Sequence, residues 1–338
     1  MRAQYVIRRV LFLFLVIWTA ASINFFLPRI SGRNPIKEQL GMQIATQGRK
    51  GDDAKLMEVR LMSLFGLDKP LWQQYLIYMG NVLRLKFGYS INNYPRQVST
   101  IIIQRGRMTL PFIAVAIVIS FLIGIFFGAF LGWNKTPKWV STVFVPPMLV
   151  FSSVPQFLVA LVLIYFVAFR AQLAPMGGAY DRTLTENFMS LTFWGSYWRH
   201  AMLPILSIII VEASGWALGM RAMMVTVEGE DFATFAEAKG LKTKRIFTRY
   251  LMRNAMLPSI TSLALRLGFI ITGAAIAETY FQYNGLGNTL GTAITQFDYF
   301  LIYGIVIIMV MSIALVTFII DMIYPLLDPR ISYVKQRG

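Results

Sequence analysis

The stretch Met108–Trp133, MTLPFIAVAIVISFLIGIFFGAFLGW, carries no charged side chain. Coiled as an α-helix at ~1.5 Å per residue, it is long enough to cross a hydrocarbon core of ~30 Å. A helix satisfies its backbone N–H and C=O groups internally, which is what a lipid environment demands. Five further runs are apolar enough and long enough to do the same: Val10–Leu27, Val140–Phe169, Met202–Val225, Met256–Phe281 and Leu301–Leu327. The reading is an all-α polytopic membrane protein with six transmembrane helices. Pro146, Pro147 and Pro155 are expected to kink or interrupt the long third run, because proline removes a helix donor and clashes with the preceding turn.

Composition supports this. Of 338 residues, 56% are apolar and 14% charged, against about 45–50% and about 25% in soluble domains. The chain has no cysteine and one histidine, His200. That excludes disulfides, thiol chemistry and Cys/His metal sites, and leaves a single imidazole for general-base work. His200 follows Arg199 and has no carboxylate close in sequence, so a structural or interfacial role is expected of it. The scattered methionines read as core filler rather than a metal site.

The net charge of +16 would suggest nucleic acid in a soluble protein. Its distribution points to membrane topology instead. With six spans both termini share a side. That side collects 15 Lys and Arg residues, whereas the short opposite loops hold only Arg170, Arg182 and Arg199. Basic residues favour the cytoplasmic side, and long translocated segments are exempt. Both termini are therefore expected in the cytoplasm, with no nucleic acid bound. The first run has a basic start and small residues at Ala20, Ala21 and Ser22, like a signal peptide. It is longer than the ~7–15 apolar residues of such peptides and reads as an uncleaved anchor.

Three regions follow: residues 1–28 as an N-terminal transmembrane helix, 29–107 as an extracytoplasmic segment, and 108–338 as a core with five spans. In the external segment, Gly41–Lys55 reads as a loop. Leu71, Tyr75, Tyr78, Val82 and Leu83 recur at helical spacing behind Lys69-Pro70, predicting one amphipathic helix. The external segment carries a local excess of basic residues suited to an acidic partner or to lipid headgroups. On the cytoplasmic side, residues 226–255 mix Glu228, Glu230, Asp231 and Glu237 with six Lys and Arg residues and with Phe232, Phe235, Ala236, Ile246, Phe247, Tyr250 and Leu251. Two short helices broken near Gly240 fit this pattern. A structured, partly apolar cytoplasmic loop calls for a partner.

Thr234-Phe235-Ala236-Glu237-Ala238-Lys239-Gly240-Leu241, followed by Arg253-Asn254-Ala255-Met256-Leu257-Pro258, resembles the EAA loop of ABC-importer permeases, within the peptide/nickel/oligosaccharide branch. Gly66–Trp72, Gln74-Tyr75-Leu76 and Phe87–Ser90 resemble that branch's external segment. Glu278–Phe281 with Gly285-Leu286-Gly287 resembles the end of its fifth helix. Asp321, Tyr324 and Leu327-Asp328-Pro329-Arg330-Ile331 resemble its C-terminal signature. The likeness covers essentially the whole chain. Three positions depart from the pattern: Thr234 replaces the EAA glutamate, Pro28–Pro35 replaces Pro-Gly-Asp-Pro, and Asn284-Gly285 replaces Pro-Gly.

The resemblance implies the type I importer permease fold and a chain that moves solute without catalysing a reaction. It implies a prokaryotic cytoplasmic-membrane location and three kinds of partner: a second, related permease, two ATP-binding subunits and an extracytoplasmic solute-binding protein. Residues Ala236, Glu237, Ala238, Lys239, Gly240 and Leu241 would couple to the ATPase, with the small residues allowing close seating. No GxxxxGK[ST] occurs, so ATP and magnesium belong to partner subunits and this chain needs no cofactor.

Glu212, Arg266, Glu278 and Asp321 fall within spans, where charge is costly and marks function by default. Glu212 and Arg266 lie ~15 Å deep, about ten residues into their helices. They either pair with each other or line a wet pathway, and Trp216, one turn from Glu212, would complete a polar and aromatic wall. Glu278 belongs to an external gate or to loop hydrogen bonds, and Asp321 to the cytoplasmic exit. Gly124, Gly128 and Gly132, and again Gly215 and Gly219, form small-residue ridges for close helix approach. The solute is an oligopeptide or an oligosaccharide; Trp216 and the three departures favour sugars slightly. The competing class is a self-sufficient secondary transporter or channel relaying ions through Glu212, Arg266 and Asp321, which has no use for the structured 226–255 loop.

Overall fold

The structure, a computed structural model, describes residues 3–30, 59, 62–63, 66–268 and 270–327. The Gly41–Lys55 loop, the stretch 31–35 and the Asp328–Ile331 ending lie outside the described residues. The helices are α1 (Ala3–Ile30), α2 (Leu71–Leu83), α3 (Val98–Gly132), α4 (Lys138–Ser153), α5 (Gln156–Leu163), α6 (Leu191–Glu228), α7 (Asp231–Ala238), α8 (Thr243–Arg245), α9 (Met252–Ala255), α10 (Leu257–Gly268), α11 (Ile270–Tyr280), α12 (Leu286–Thr295) and α13 (Tyr299–Leu327). Among the described residues the only β-type pairing is an isolated bridge between Tyr89 and Gln97. The fold class read from the sequence, all-α and membrane-spanning, is the one observed.

Among the described residues, four helices are long and apolar enough to cross a membrane: residues 4–30, 98–132, 191–228 and 299–319. The stretch expected as the fifth span is helical on both sides of residue 269, which lies outside the described residues. The third run departs from a single kinked span. It breaks into α4 and α5, bent by 106°. Only one of its three prolines causes this. Pro146 and Pro147 sit within α4, whereas Val154 is extended (φ −75°, ψ 129°) and Pro155 caps α5. The ring of a proline pushes the residue before it out of the helical region, which sets the break at Val154. Past α5 the chain continues as π-helical turns over Ile164–Arg170.

The chain divides into two compact units, residues 1–107 with 286–338 and residues 108–285. In the first, α1 and α13 run antiparallel. Arg9 Nη1 meets Asp321 Oδ2 at 2.8 Å at one end, while Asn24 Nδ2 donates to the Tyr303 carbonyl at 3.1 Å and Arg29 Nη1 to the Tyr303 hydroxyl at 3.1 Å towards the other. The start of α1 and the end of α13 therefore lie at the same end of the pair. Helix α2 starts at the expected Pro70. It presents Tyr75, Tyr78 and Val82 to α1, where the Ser22 and Tyr75 hydroxyls lie 2.8 Å apart and Phe26 stacks on Tyr75. Asn24 donates to the Tyr78 hydroxyl, whose burial pushes its pKa up to about 12. Leu71 and Leu83, expected on the same buried face, are exposed instead.

The connection into α3 is held by a buried carboxylate. Asp298, fully buried, accepts from the Ser90 hydroxyl, from Ile91 N–H at 3.2 Å, from Asn92 N–H at 3.3 Å and from Leu301 N–H at 3.2 Å. One side chain thus caps α13 and pins the 90–92 turn, because a buried carboxylate requires several donors.

In the second unit the Gly124/Gly128/Gly132 ridge packs on α6. A Cβ at Gly124 would lie 2.9 Å from the Ala213 carbonyl, and one at Gly132 would lie 2.7 Å from the Arg221 carbonyl. Small residues here let the two backbones approach directly. At one end of this pair, Phe112, Phe193, Tyr197 and Tyr283 form an aromatic core with Met108. At the other, Trp216, Met220 and Met224 form a cluster with Ala233, Ala236, Ile246 and Leu251.

Candidate functional site

The region expected over 226–255 shows the predicted break, after α6 ends at Glu228. Helix α7 ends at Ala238 with Lys239 as its cap, Gly240 takes a positive φ of 68°, and a second helical stretch starts at Thr243. Only glycine adopts that backbone angle without steric cost, so the break falls there. The periodicity of α7 then sorts its residues. Ala233 and Ala236 are buried against Ile246, Leu251 and the α6 methionines, while Phe232, Phe235, Glu237, Ala238, Lys239 and Gly240 are exposed and Leu241 is half-buried. Ala236 therefore fastens α7 to its own chain rather than facing outward, as the sequence reading had it. Phe235 is 62% exposed, with Lys239 Nζ 4.6 Å above its ring. This aromatic residue is the one that the sequence reading passed over in favour of the small ones. The signal was present: with Ala233 and Ala236 facing inward, Phe232, Phe235 and Lys239 share the outer face.

The turn between α3 and α4 braces the same region. Asn134 N–H donates to the Glu228 carboxylate at 3.1 Å, Lys135 Nζ reaches Glu237 Oε1 at 3.2 Å, and Trp133 lies 4.7 Å from the Phe247 ring. The α7 surface is thus held to the membrane helices from two sides.

Of the ionisable residues placed in spans, Glu212 and Arg266 do meet. Arg266 Nη1 is paired with Glu212 Oε2, and the two side chains remain 50% and 35% exposed. Trp216 is 7% exposed, packs edge-on against Phe121 with centroids 5.2 Å apart, and has the Arg266 guanidinium 4.7 Å from its ring centroid. It is a core residue that seats the arginine, so the open aromatic wall expected from the sequence does not form. Next to the pair on α6, Gly215 and Gly219 have nothing among the described residues within 4 Å of where a Cβ would lie. Unlike the first, this second ridge meets none of the described residues.

Glu278 and Asp321 each meet a side chain from a distant helix. Glu278 is fully buried and accepts from Thr109 Oγ1 at 2.5 Å. Its carboxylate lies so close to Gly285 that a Cβ there would overlap it. Thr109 and the Gly285 turn enclose the carboxylate, which is the arrangement of the loop-bonding alternative. Asp321 is paired with Arg9, and its carbonyl accepts from the Tyr5 hydroxyl at 2.8 Å. His200 donates through Nδ1–H to the Ser196 carbonyl at 2.8 Å, a bond one turn back along its own helix. Among the described residues no group of three or more His, Cys, Asp or Glu is placed to hold a metal.

The described residues thus form a multi-pass helical membrane protein with a braced, partly apolar helix between two membrane runs. Residues 124–333 match the family described as binding-protein-dependent transport system inner membrane component. The chain is 30% identical over 291 residues to the dipeptide transport system permease protein DppB of Escherichia coli K12, covering 82% of this chain and 85% of that protein. It is 26% identical to the oligopeptide transport system permease protein AppB of Bacillus subtilis, covering 98% and 100%. It is also 26% identical to that organism's dipeptide permease DppB, covering 99% of each. The chain belongs to this family: it is a permease subunit of an ABC importer.

Proposed function

We propose that the chain forms one half of an ATP-driven import pathway for oligopeptides, paired with a related but different permease. Two ATP-binding subunits would power it and an extracytoplasmic solute-binding protein would feed it. ATP and magnesium reside on the ATPase subunits, and this chain needs no cofactor. Both termini face the cytoplasm of a prokaryotic cell, with 29–107 external and 108–338 forming the permease core. The antiparallel α1/α13 pair and the basic-residue distribution support this topology. Peptides are preferred over sugars because the relatives are named as peptide and dipeptide permeases, while the Trp216 wall that favoured sugars is absent.

The observation that carries coupling is the exposed Phe235 face of α7, fixed at its back by Ala233 and Ala236. Ala238, Lys239 and Gly240 extend the exposed face, and Glu237 lies beside it, tied to Lys135. An aromatic residue standing out from a rigid support suits a groove in an ATPase subunit, where burying it is worth about 1.5–3 kcal/mol. Closure of the ATPase dimer would move α7 and, through the α6 methionine cluster, the spans, as a rigid-body change around the pathway.

The half-exposed Glu212–Arg266 pair and the open Gly215/Gly219 ridge mark the side of α6 that faces the pathway and the second permease. Charges exposed to acyl chains are costly, so a wet or protein-covered surface is favoured there. The experiment is peptide uptake into vesicles containing the full importer, with Phe235→Asp and Gly240→Asp. Both substitutions should leave assembly of the spans intact and reduce uptake per ATP hydrolysed at least several-fold. Normal coupling in both would reject the assignment.

A further inference from the structure

Helix α2 contains no charged residue, yet it carries two apolar faces. Tyr75, Tyr78 and Val82 pack inward. Trp72, Leu76 and Leu83, spaced for one side of a helix, are 63%, 59% and 76% exposed, and Ile77 beside them is 46% exposed. Gly80 continues this outer stripe with nothing within 4 Å of its Cβ position. Charge is confined to the ends, with exposed Asp68 and Lys69 before the helix and exposed Arg84 and Lys86 after it, a net basic flank.

The height of α2 against the membrane follows from α1. Arg9 and Arg29 bracket α1 and are separated by ~30 Å at ~1.5 Å per residue, the thickness of a hydrocarbon core. Contacts from α2 fall on Ser22, Asn24, Phe25, Phe26 and Arg29, the last turns before that boundary. The outer stripe is also continuous with surface that already belongs to lipid. Phe26, which stacks on Tyr75, is 41% exposed, and its neighbours Ile23 and Leu27 are 57% and 66% exposed.

From this placement we infer that α2 lies in the outer lipid–water interface. Trp72, Leu76, Ile77 and Leu83 enter the acyl boundary, and Lys69, Arg84 and Lys86 face anionic headgroups. Tryptophan favours that depth, and basic residues near the surface gain from anionic lipid. A face apolar along its whole length, level with the bilayer boundary, suits a permanent lipid contact. A solute-binding protein that must dock and leave would meet a more polar surface. The assignment of the leaflet as outer rests on the proposed topology.

The native chain has no cysteine, so single nitroxide labels can be placed at Leu76→Cys, at Leu83→Cys and, as a lipid-facing reference on α1, at Leu15→Cys. The full chain is reconstituted in phosphatidylethanolamine–phosphatidylglycerol vesicles, and collision with oxygen is compared with collision with a water-soluble nickel chelate. The oxygen-to-nickel ratio at both α2 labels should exceed that of a water-exposed site several-fold and approach the Leu15→Cys value. Replacing phosphatidylglycerol by phosphatidylcholine should lower the ratio. That response should vanish in the combined variant Lys69→Gln, Arg84→Gln and Lys86→Gln. Free access of the chelate would overturn the inference, as would shielding from both reagents, which indicates a protein partner or second copy. No response to phosphatidylglycerol would overturn the anionic-headgroup assignment. Peptide uptake by the full importer tests the transport assignment separately.

Discussion

The Glu212–Arg266 pair is the sharpest residue-scale consequence of the fold. Each side chain offsets the other's charge, and a lone charge within a span is costly. Glu212→Gln or Arg266→Met should each lower thermal stability in detergent by about 1–2 kcal/mol, below the ~3–5 kcal/mol of a fully buried pair because both groups are half-exposed. The double variant should recover most of that loss. A pathway role adds a second readout: Arg266→Met should change the KM for peptides differing in terminal charge, whereas a pair serving only packing would leave KM untouched. The sequence brought these two residues to the same depth, but left open whether they touched. Trp216 shows what periodicity alone misses. One turn from Glu212, it shares its side of the helix, yet Phe121 from another helix covers one edge and Arg266 one face.

Among the elements, the two glycine ridges have opposite uses although their spacing is the same. Gly124, Gly128 and Gly132 meet the α6 backbone, and Gly215 and Gly219 meet nothing among the described residues. Gly128→Val should therefore cost about 1–3 kcal/mol or more through overpacking against Ala217. Gly219→Val should leave the isolated chain unaffected and weaken its association with the second permease, measured by co-purification. Equal losses in the isolated chain would contradict the assignment of the second ridge. The α4/α5 break carries a related lesson. Three prolines in one run are equivalent in the sequence, but Pro146 and Pro147 are accommodated inside α4 and only Pro155 follows a residue driven to extended backbone. Which proline interrupts a helix depends on whether its neighbours can leave the helical region.

Taken as a whole molecule, the chain joins its first and last long helices through Arg9–Asp321 at one end and Asn24, Arg29 and Tyr303 towards the other. Such pairing between residues more than 270 positions apart is invisible to any local pattern. Arg9→Ala should lower the unfolding midpoint modestly. A double-mutant cycle with Asp321→Ala should give a coupling of about 0.2–1 kcal/mol, the range for partly exposed ion pairs. Uptake should persist in Asp321→Asn if the residue ties α13 to α1, and should fall if it lines the exit.

The sequence by itself determined the helical, membrane-spanning class, the position of most long helices, the Gly240 break and the family likeness. These follow from properties carried along the chain: uninterrupted apolar length, a single residue able to take positive φ, and motif order. Tertiary structure alone decided that Ala236 and Trp216 face inward, that Phe235 faces outward, and that Glu278 meets Thr109 and Asp321 meets Arg9. It also decided that α2 keeps a second apolar face uncovered by the described residues. Helical spacing tells which residues share a side. What lies against that side depends on packing between segments distant in sequence, and that packing sets which residues remain available to lipid, solute or partner.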